Sequence, residues 1–168
     1  MNYQRVILLL AASLFLMGAD NGEQGTDEQA KLLEQQTQLN ARIETLKQEQ
    51  DYLLFQKTMY ASDSKYLVLN IAARTGQLKY KNRILKDFHF TSAGPVSMLN
   101  RGAFTLTKKI EEPKTRNLLI FGTSLVLQGK QVPAIQLQAG IPRLSLSRKN
   151  LMSLFYALEV GAKAYVMP

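Results

Sequence analysis

Cysteine is absent from the 168 residues, and histidine occurs once, at His89. The lack of cysteine excludes disulfides, thiolate nucleophiles, Cys-based zinc or iron–sulfur sites and a lipid-modified cysteine behind a leader. It assigns no compartment, because exported proteins fold without disulfides too. Acidic residues are scarce in one part of the chain. Residues 64–168 hold four Asp/Glu against sixteen Lys/Arg, whereas residues 20–63 hold nine against four. The net charge of +8 therefore hides an acidic stretch followed by a strongly basic one, and a basic field of that size concentrates anionic partners. The apolar run Val6 to Met17, broken only by Ser13, is too short to cross a hydrocarbon core of ~30 Å comfortably as a helix.

That run follows Arg5 and ends in Gly18-Ala19, ahead of the polar Asp20-Asn21-Gly22-Glu23. This is the order of a secretory signal peptide, cleaved near Ala19, with an uncleaved anchor as the alternative. Export directs the positive field toward wall polymers, lipopolysaccharide or phospholipid headgroups rather than nucleic acid. The chain divides into a leader at 1–19, an acidic linker and helix at 20–63, and a basic domain at 64–168. Thr26, with Gln29 three residues on, reads as a helix N-cap. No proline or glycine follows before Tyr60. Leu32, Leu39, Leu46 and Leu53 recur every seven residues, with Gln29, Gln36, Ile43 and Gln50 three residues before them. This predicts a long coiled-coil-like helix for self-association or for a partner protein; a helix packing its leucines on its own domain is the alternative.

The basic domain reads as short strands. Tyr66 to Ile71 is a buried-type strand, Arg74-Thr75-Gly76-Gln77 a turn, and Leu78-Lys79-Tyr80 its hairpin partner. Further strands are expected at Ile84–Thr91, Phe104–Thr107, Leu118–Phe121, Leu125–Leu127, Ala134–Leu137 and Ala164–Met167. Ser147 caps one late helix with Leu151, Leu154, Phe155 and Leu158 on one face, and Gly161 is placed to stop it. The expected fold is mainly β, a sandwich or barrel with one late helix, preceded by the long N-terminal helix.

Several segments in order resemble the L,D-transpeptidase (YkuD-type) catalytic domain. The first hairpin matches at Leu67–Ile71 and Leu78–Tyr80, and Phe90 to Pro95 matches a strand ending in a Ser/Thr-Gly turn. Asn100 to Leu106 resembles the family's Pro-x-Gly-x-Phe stretch. Leu125-Val126-Leu127-Gln128-Gly129 resembles Ile-x-Ile-His-Gly, with Gln128 in place of histidine. Ala139-Gly140-Ile141-Pro142-Arg143-Leu144-Ser145 resembles His-Gly-Cys-Ile-Arg-Leu-Ser, with Ile141 in place of cysteine. The late helix and Val160–Val166 resemble the family's ending. The resemblance covers about 65–168, and its Gln128-to-Ile141 interval is shorter than the family's.

In the family a thiolate attacks a peptide carbonyl of the wall stem, a histidine manages the proton, and an amine resolves the acyl-enzyme. Here Ile141 offers no nucleophile, and Gln128 cannot act as a base because its amide takes no proton near neutral pH. Ala139 removes a second histidine, and Pro142 deletes a backbone N–H beside the former nucleophile. His89 between two phenylalanines reads as structural or solvent-facing, and Glu111-Glu112 as a salt-bridged turn. No cluster has metal-ligand spacing, and no cofactor is implied. The expectation is a non-catalytic envelope protein with no catalytic residue. Its degenerate site, Gln128, Gly129, Gly140, Ile141, Arg143 and Ser145, binds peptidoglycan stem peptides or another anionic polymer, or the domain serves as a scaffold for wall-remodelling partners. Arg143 suits a stem-peptide carboxylate, or else pairs structurally with backbone carbonyls. The alternative is an active transpeptidase or amide hydrolase using Ser124 or Ser145.

Overall fold

Leu67 and Leu69 point to one side of the first strand and Tyr66 and Val68 to the other, and all four are buried. Strand periodicity of two demands that both faces be covered, and the architecture follows from how each is covered. A computed structural model describes residues 24–93, 99–111, 117–129 and 141–167. The expected leader at 1–19, the strand at Ala134–Leu137 and Gly94-Pro95 lie outside the described residues.

The elements are helix α1 (Gln24–Ala61), strands β1 (Lys65–Asn70), β2 (Thr75–Tyr80), β3 (Arg83–Ala93), β4 (Gly102–Ile110), β5 (Leu118–Phe121), β6 (Leu125–Gly129) and β7 (Arg143–Leu146), helix α2 (Arg148–Ala157) and strand β8 (Lys163–Met167). The strands close a barrel in the order β1-β2-β3-β7-β6-β5-β4-β8. Two contacts are parallel, β1 with β8 and β6 with β7; the others are antiparallel. The barrel with one late helix is the fold class expected from the sequence. Among the described residues no helix is long and apolar enough to cross a membrane.

The main core takes alternate residues from every strand, among them Leu67, Leu69, Phe88, Leu106, Phe121, Leu127 and Leu144. Helix α2 adds Leu151, Leu154 and Phe155, and Leu158 just past its end joins them. Each such side chain contributes roughly 1.5–3 kcal/mol when fully buried. Ser147 caps α2 as expected, its side chain accepting from the Asn150 N–H at 3.3 Å. The helix ends at Ala157 rather than at Gly161. Lys109 Nζ donates to the Leu158 carbonyl at 2.9 Å and lies 4.5 Å from the Phe155 ring centre, so a cation closes the helix's negative end. Gly161 instead carries a left-handed φ of 98° in the turn into β8.

Tyr66, Val68 and Tyr165 form a second cluster with Phe55 and Met59 of α1. The Phe55 ring packs tilted against Tyr165 with ring centres 5.0 Å apart and meets Tyr66 edge-on at 5.6 Å, and the Tyr52 ring centre lies 5.1 Å from that of Tyr165. The helical face that docks is thus Tyr52, Phe55 and Met59, not the heptad leucines: Leu53 remains 62% exposed. The chain forms two compact units, dividing between Lys47 and Gln48, inside the helix. In the first unit α1 begins at Gln24, ahead of the expected cap at Thr26, and Leu32 and Leu39 are more than 60% exposed.

The β1–β2 turn falls earlier than its glycine suggests. Asn70 Oδ1 accepts from the Ala73 N–H at 2.7 Å, and Arg74 takes the left-handed conformation with φ 54°. Gly76 lies inside β2, opposite Leu69 and Phe88.

Candidate functional site

The motif residues converge on the parallel pair β6–β7. Leu125 and Leu127, and Leu144 and Leu146, enter the barrel core. The alternate positions, Val126 and Gln128 on β6 with Arg143 and Ser145 on β7, therefore share the opposite face. Val126 pairs with Arg143, Gln128 with Ser145, and Gly129 with Leu146. Gln128 and Ser145 are each 7% exposed, and Gln128 Nε2 donates to Ser145 Oγ at 3.4 Å. Thr91 Oγ1 donates to the Ser145 carbonyl at 3.5 Å. The Arg143 side chain is half-buried and has no hydrogen-bond or carboxylate partner among the described residues.

Ile141 does not join this group. It lies two residues ahead of Arg143 and four ahead of Ser145, the partner of Gln128, and four residues of extended chain span about 13 Å. Pro142 is buried, and its carbonyl accepts from the Val126 N–H at 3.1 Å, so it continues the ladder. Gly140 and Ala139 lie outside the described residues. The structure therefore brings Gln128, Ser145 and Arg143 onto one face and leaves Ile141 at the entry to β7.

Among the described residues the serines proposed as alternative nucleophiles find no base: Ser145 Oγ meets the Gln128 amide, and the half-buried Ser124 sits in the β5–β6 turn, its N–H donating to the Phe121 carbonyl at 3.3 Å. His89 is exposed on β3. Glu111 is exposed, and Glu112 lies outside the described residues. Among the described residues no group of three potential metal ligands exists.

Two cavities lie elsewhere in the second unit. One of about 420 Å³ has His89, Asp87, Gln77, Thr75 and Tyr52 in its wall, with Gln77 Nε2 donating to Asp87 Oδ1 at 2.9 Å. A second, of about 330 Å³, is lined by Lys57, Lys79 and Lys81 among others. The sequence carried one signal for the second: with Leu78 in the core, Lys79 must lie on the face of β2 beside Tyr66.

No family model and no curated protein matches the chain. Solved structures do. An L,D-transpeptidase from Stackebrandtia nassauensis is similar with a TM-score of 0.50 and 12% identity, over 62% of this chain and 56% of that one. A mutant L,D-transpeptidase from Enterococcus faecium gives 0.49 and 11%, over 62% and 50%. The isolated catalytic domain of the E. faecium enzyme gives 0.49 and 10%, over 63% and 98%. The chain spans about half the length of the first two. At these identities the likeness is one of fold, and the barrel of β1–β8 with its late helix has the fold of the L,D-transpeptidase catalytic domain.

Proposed function

We propose that the barrel is a non-catalytic module of the cell envelope that binds peptidoglycan or another anionic envelope polymer. The observation that carries this reading is the β6–β7 register. The positions that the resemblance assigns to base and nucleophile, Gln128 and Ile141, hold residues unable to fill either role, and Gln128 is engaged with Ser145 instead. The same face keeps Arg143, whose planar fork suits a carboxylate of a stem peptide. The charge balance of residues 64–168, sixteen Lys/Arg against four Asp/Glu, supplies the attraction for a polyanion. The exposed leucines of α1 suit self-association or recruitment of a partner protein, which makes the module a scaffold as well.

Co-sedimentation of the purified chain with sacculi tests this. Binding at low salt that weakens as salt rises, and that falls on Arg143→Ala, is the expected result; no binding at low salt overturns the wall-ligand reading. Stem peptides incubated with the chain and analysed by mass spectrometry test the other half. No product is expected, even from a variant carrying Ile141→Cys and Gln128→His, because the register holds these positions apart. Turnover by the natural chain overturns the non-catalytic reading.

A further inference from the structure

The 330 Å³ cavity between the last turns of α1 and the β1–β2 hairpin holds an unusual lysine. Lys79 is only 9% exposed, lines the cavity, and its side chain has no hydrogen-bond or ion-pair partner among the described residues. No buried side-chain nitrogen among the described residues lacks a partner, so the aliphatic stem of Lys79 is covered while its ammonium opens into the cavity. Strand alternation places Lys79 there: Leu78 enters the core, so Lys79 lies on the opposite face of β2, paired with Tyr66 of β1. Lys57 from α1 and Lys81 from the β2–β3 turn line the same cavity, with Asn82 beside them.

The charges do not cancel locally. Lys81 Nζ lies 3.2 Å from Asp63 Oδ1, whereas Lys57 and Lys79 have no carboxylate opposite them among the described residues. Two uncompensated ammonium groups converging on one cavity match a dianion better than a single carboxylate. Lysines serve as point charges for phosphate, and the Asn82 amide adds a donor. The rest of the wall is Gln56, Tyr66 and the large, solvent-exposed side chains of Leu53 and Tyr60, 62% and 60% exposed. The volume is that of a small-ligand site.

We propose that this cavity binds a phosphomonoester, its phosphate neutralised by Lys57 and Lys79 and an apolar body resting on Leu53 and Tyr60. The site is separate from the β6–β7 face, so its test is independent of wall binding.

Phenyl phosphate is the probe, titrated into the full chain by calorimetry and followed by amide NMR shifts. Saturable binding is expected, with shifts centred on Tyr60, Lys79 and Asn82. Lys79→Met, which keeps the apolar stem, should weaken it at least tenfold. Lys57→Met on the exposed helix face should weaken it several-fold and serves as the test should Lys79→Met fail to fold. Lys149→Met, on α2, should leave it unchanged. Absence of saturable binding overturns the proposal, and so does equal loss in the Lys149 variant, which would mean a diffuse charge effect. Inorganic phosphate should bind more weakly than phenyl phosphate; equal affinity overturns the apolar subsite. Vesicles containing phosphatidic acid, whose headgroup is itself a phosphomonoester, separate the sources. Lys79-dependent sedimentation with them, but not with phosphatidylcholine, supports a lipid phosphate, whereas phenyl phosphate binding without vesicle binding supports a soluble phosphomonoester.

Discussion

Gln128 and Ser145 stand opposite each other on parallel strands, joined amide to hydroxyl at 3.4 Å and almost closed to solvent. The position that the resemblance gives to a proton-carrying base is thus occupied by a neutral donor with a neutral acceptor. This pair can hold β6 against β7, but it cannot move a proton at neutral pH.

Removing one partner should cost more than removing both. Ser145→Ala leaves the Gln128 amide buried without an acceptor, and a loss of about 1–3 kcal/mol is expected, near the low end because the bond is long. Adding Gln128→Leu to Ser145→Ala replaces both polar groups with apolar ones and should recover most of that loss. Urea denaturation of the three proteins measures it; equal stability of natural chain and Ser145→Ala would mean that the amide is satisfied elsewhere.

Much of this arrangement was legible in the sequence. The run Tyr66-Leu67-Val68-Leu69 reads as a strand buried on both faces, and it is one, with Leu67 and Leu69 in the barrel and Tyr66 and Val68 under α1. Ser147 and the leucines after it read as a capped amphipathic helix, and α2 is one. The docking face of α1 was not legible. Tyr52, Phe55 and Met59 occupy barely two turns, and a four-repeat leucine pattern on another face dominates the same segment. The Gln128–Ser145 register was equally hidden, because it is fixed by closure of the whole barrel and not by any local spacing. Gly76 misled for a different reason, since glycine serves both turns and close approaches.

Gly76 is a close approach. A Cβ built there would run into the Phe88 ring and lie 2.9 Å from Leu69 Cδ2. Phe88 thereby covers the space that a side chain on β2 would fill, and both neighbours belong to the main core. Gly76→Ala must displace the ring or separate β2 from β3, so it should destabilise by about 1–3 kcal/mol, the range for overpacking a core. Gly161→Ala tests a different cost, since its Cβ meets nothing within 4 Å but its φ is 98°. Thermal melts of the two variants, with Phe88→Leu added to Gly76→Ala to make room, separate steric conflict from backbone strain: only the Gly76 defect should be relieved by the smaller side chain.

The docking of α1 carries its own pH dependence. Burial raises Tyr52 above the ordinary phenol value of 10.0; burial also raises Tyr66 and Tyr165, helped at Tyr66 by Tyr52 and at Tyr165 by Asp51 and then Tyr52. The folded chain therefore holds these phenolic protons more tightly than the unfolded chain. Their contribution to stability is complete below the unfolded value near 10 and is lost as pH rises through the raised folded values. Melting temperature should accordingly hold steady through neutral pH and fall in the alkaline range, together with the appearance of tyrosinate absorbance. Tyr52→Phe and Tyr165→Phe remove two of the titrating groups while keeping the tilted ring contacts of Tyr165 with Tyr52 and with Phe55, so the double variant should lose less stability on alkalinisation. Tyr66 is left in place because its hydroxyl donates to the Lys81 carbonyl at 2.6 Å. Superimposable pH profiles for the natural chain and the double variant would show that the alkaline transition arises elsewhere than at the helix–barrel contact.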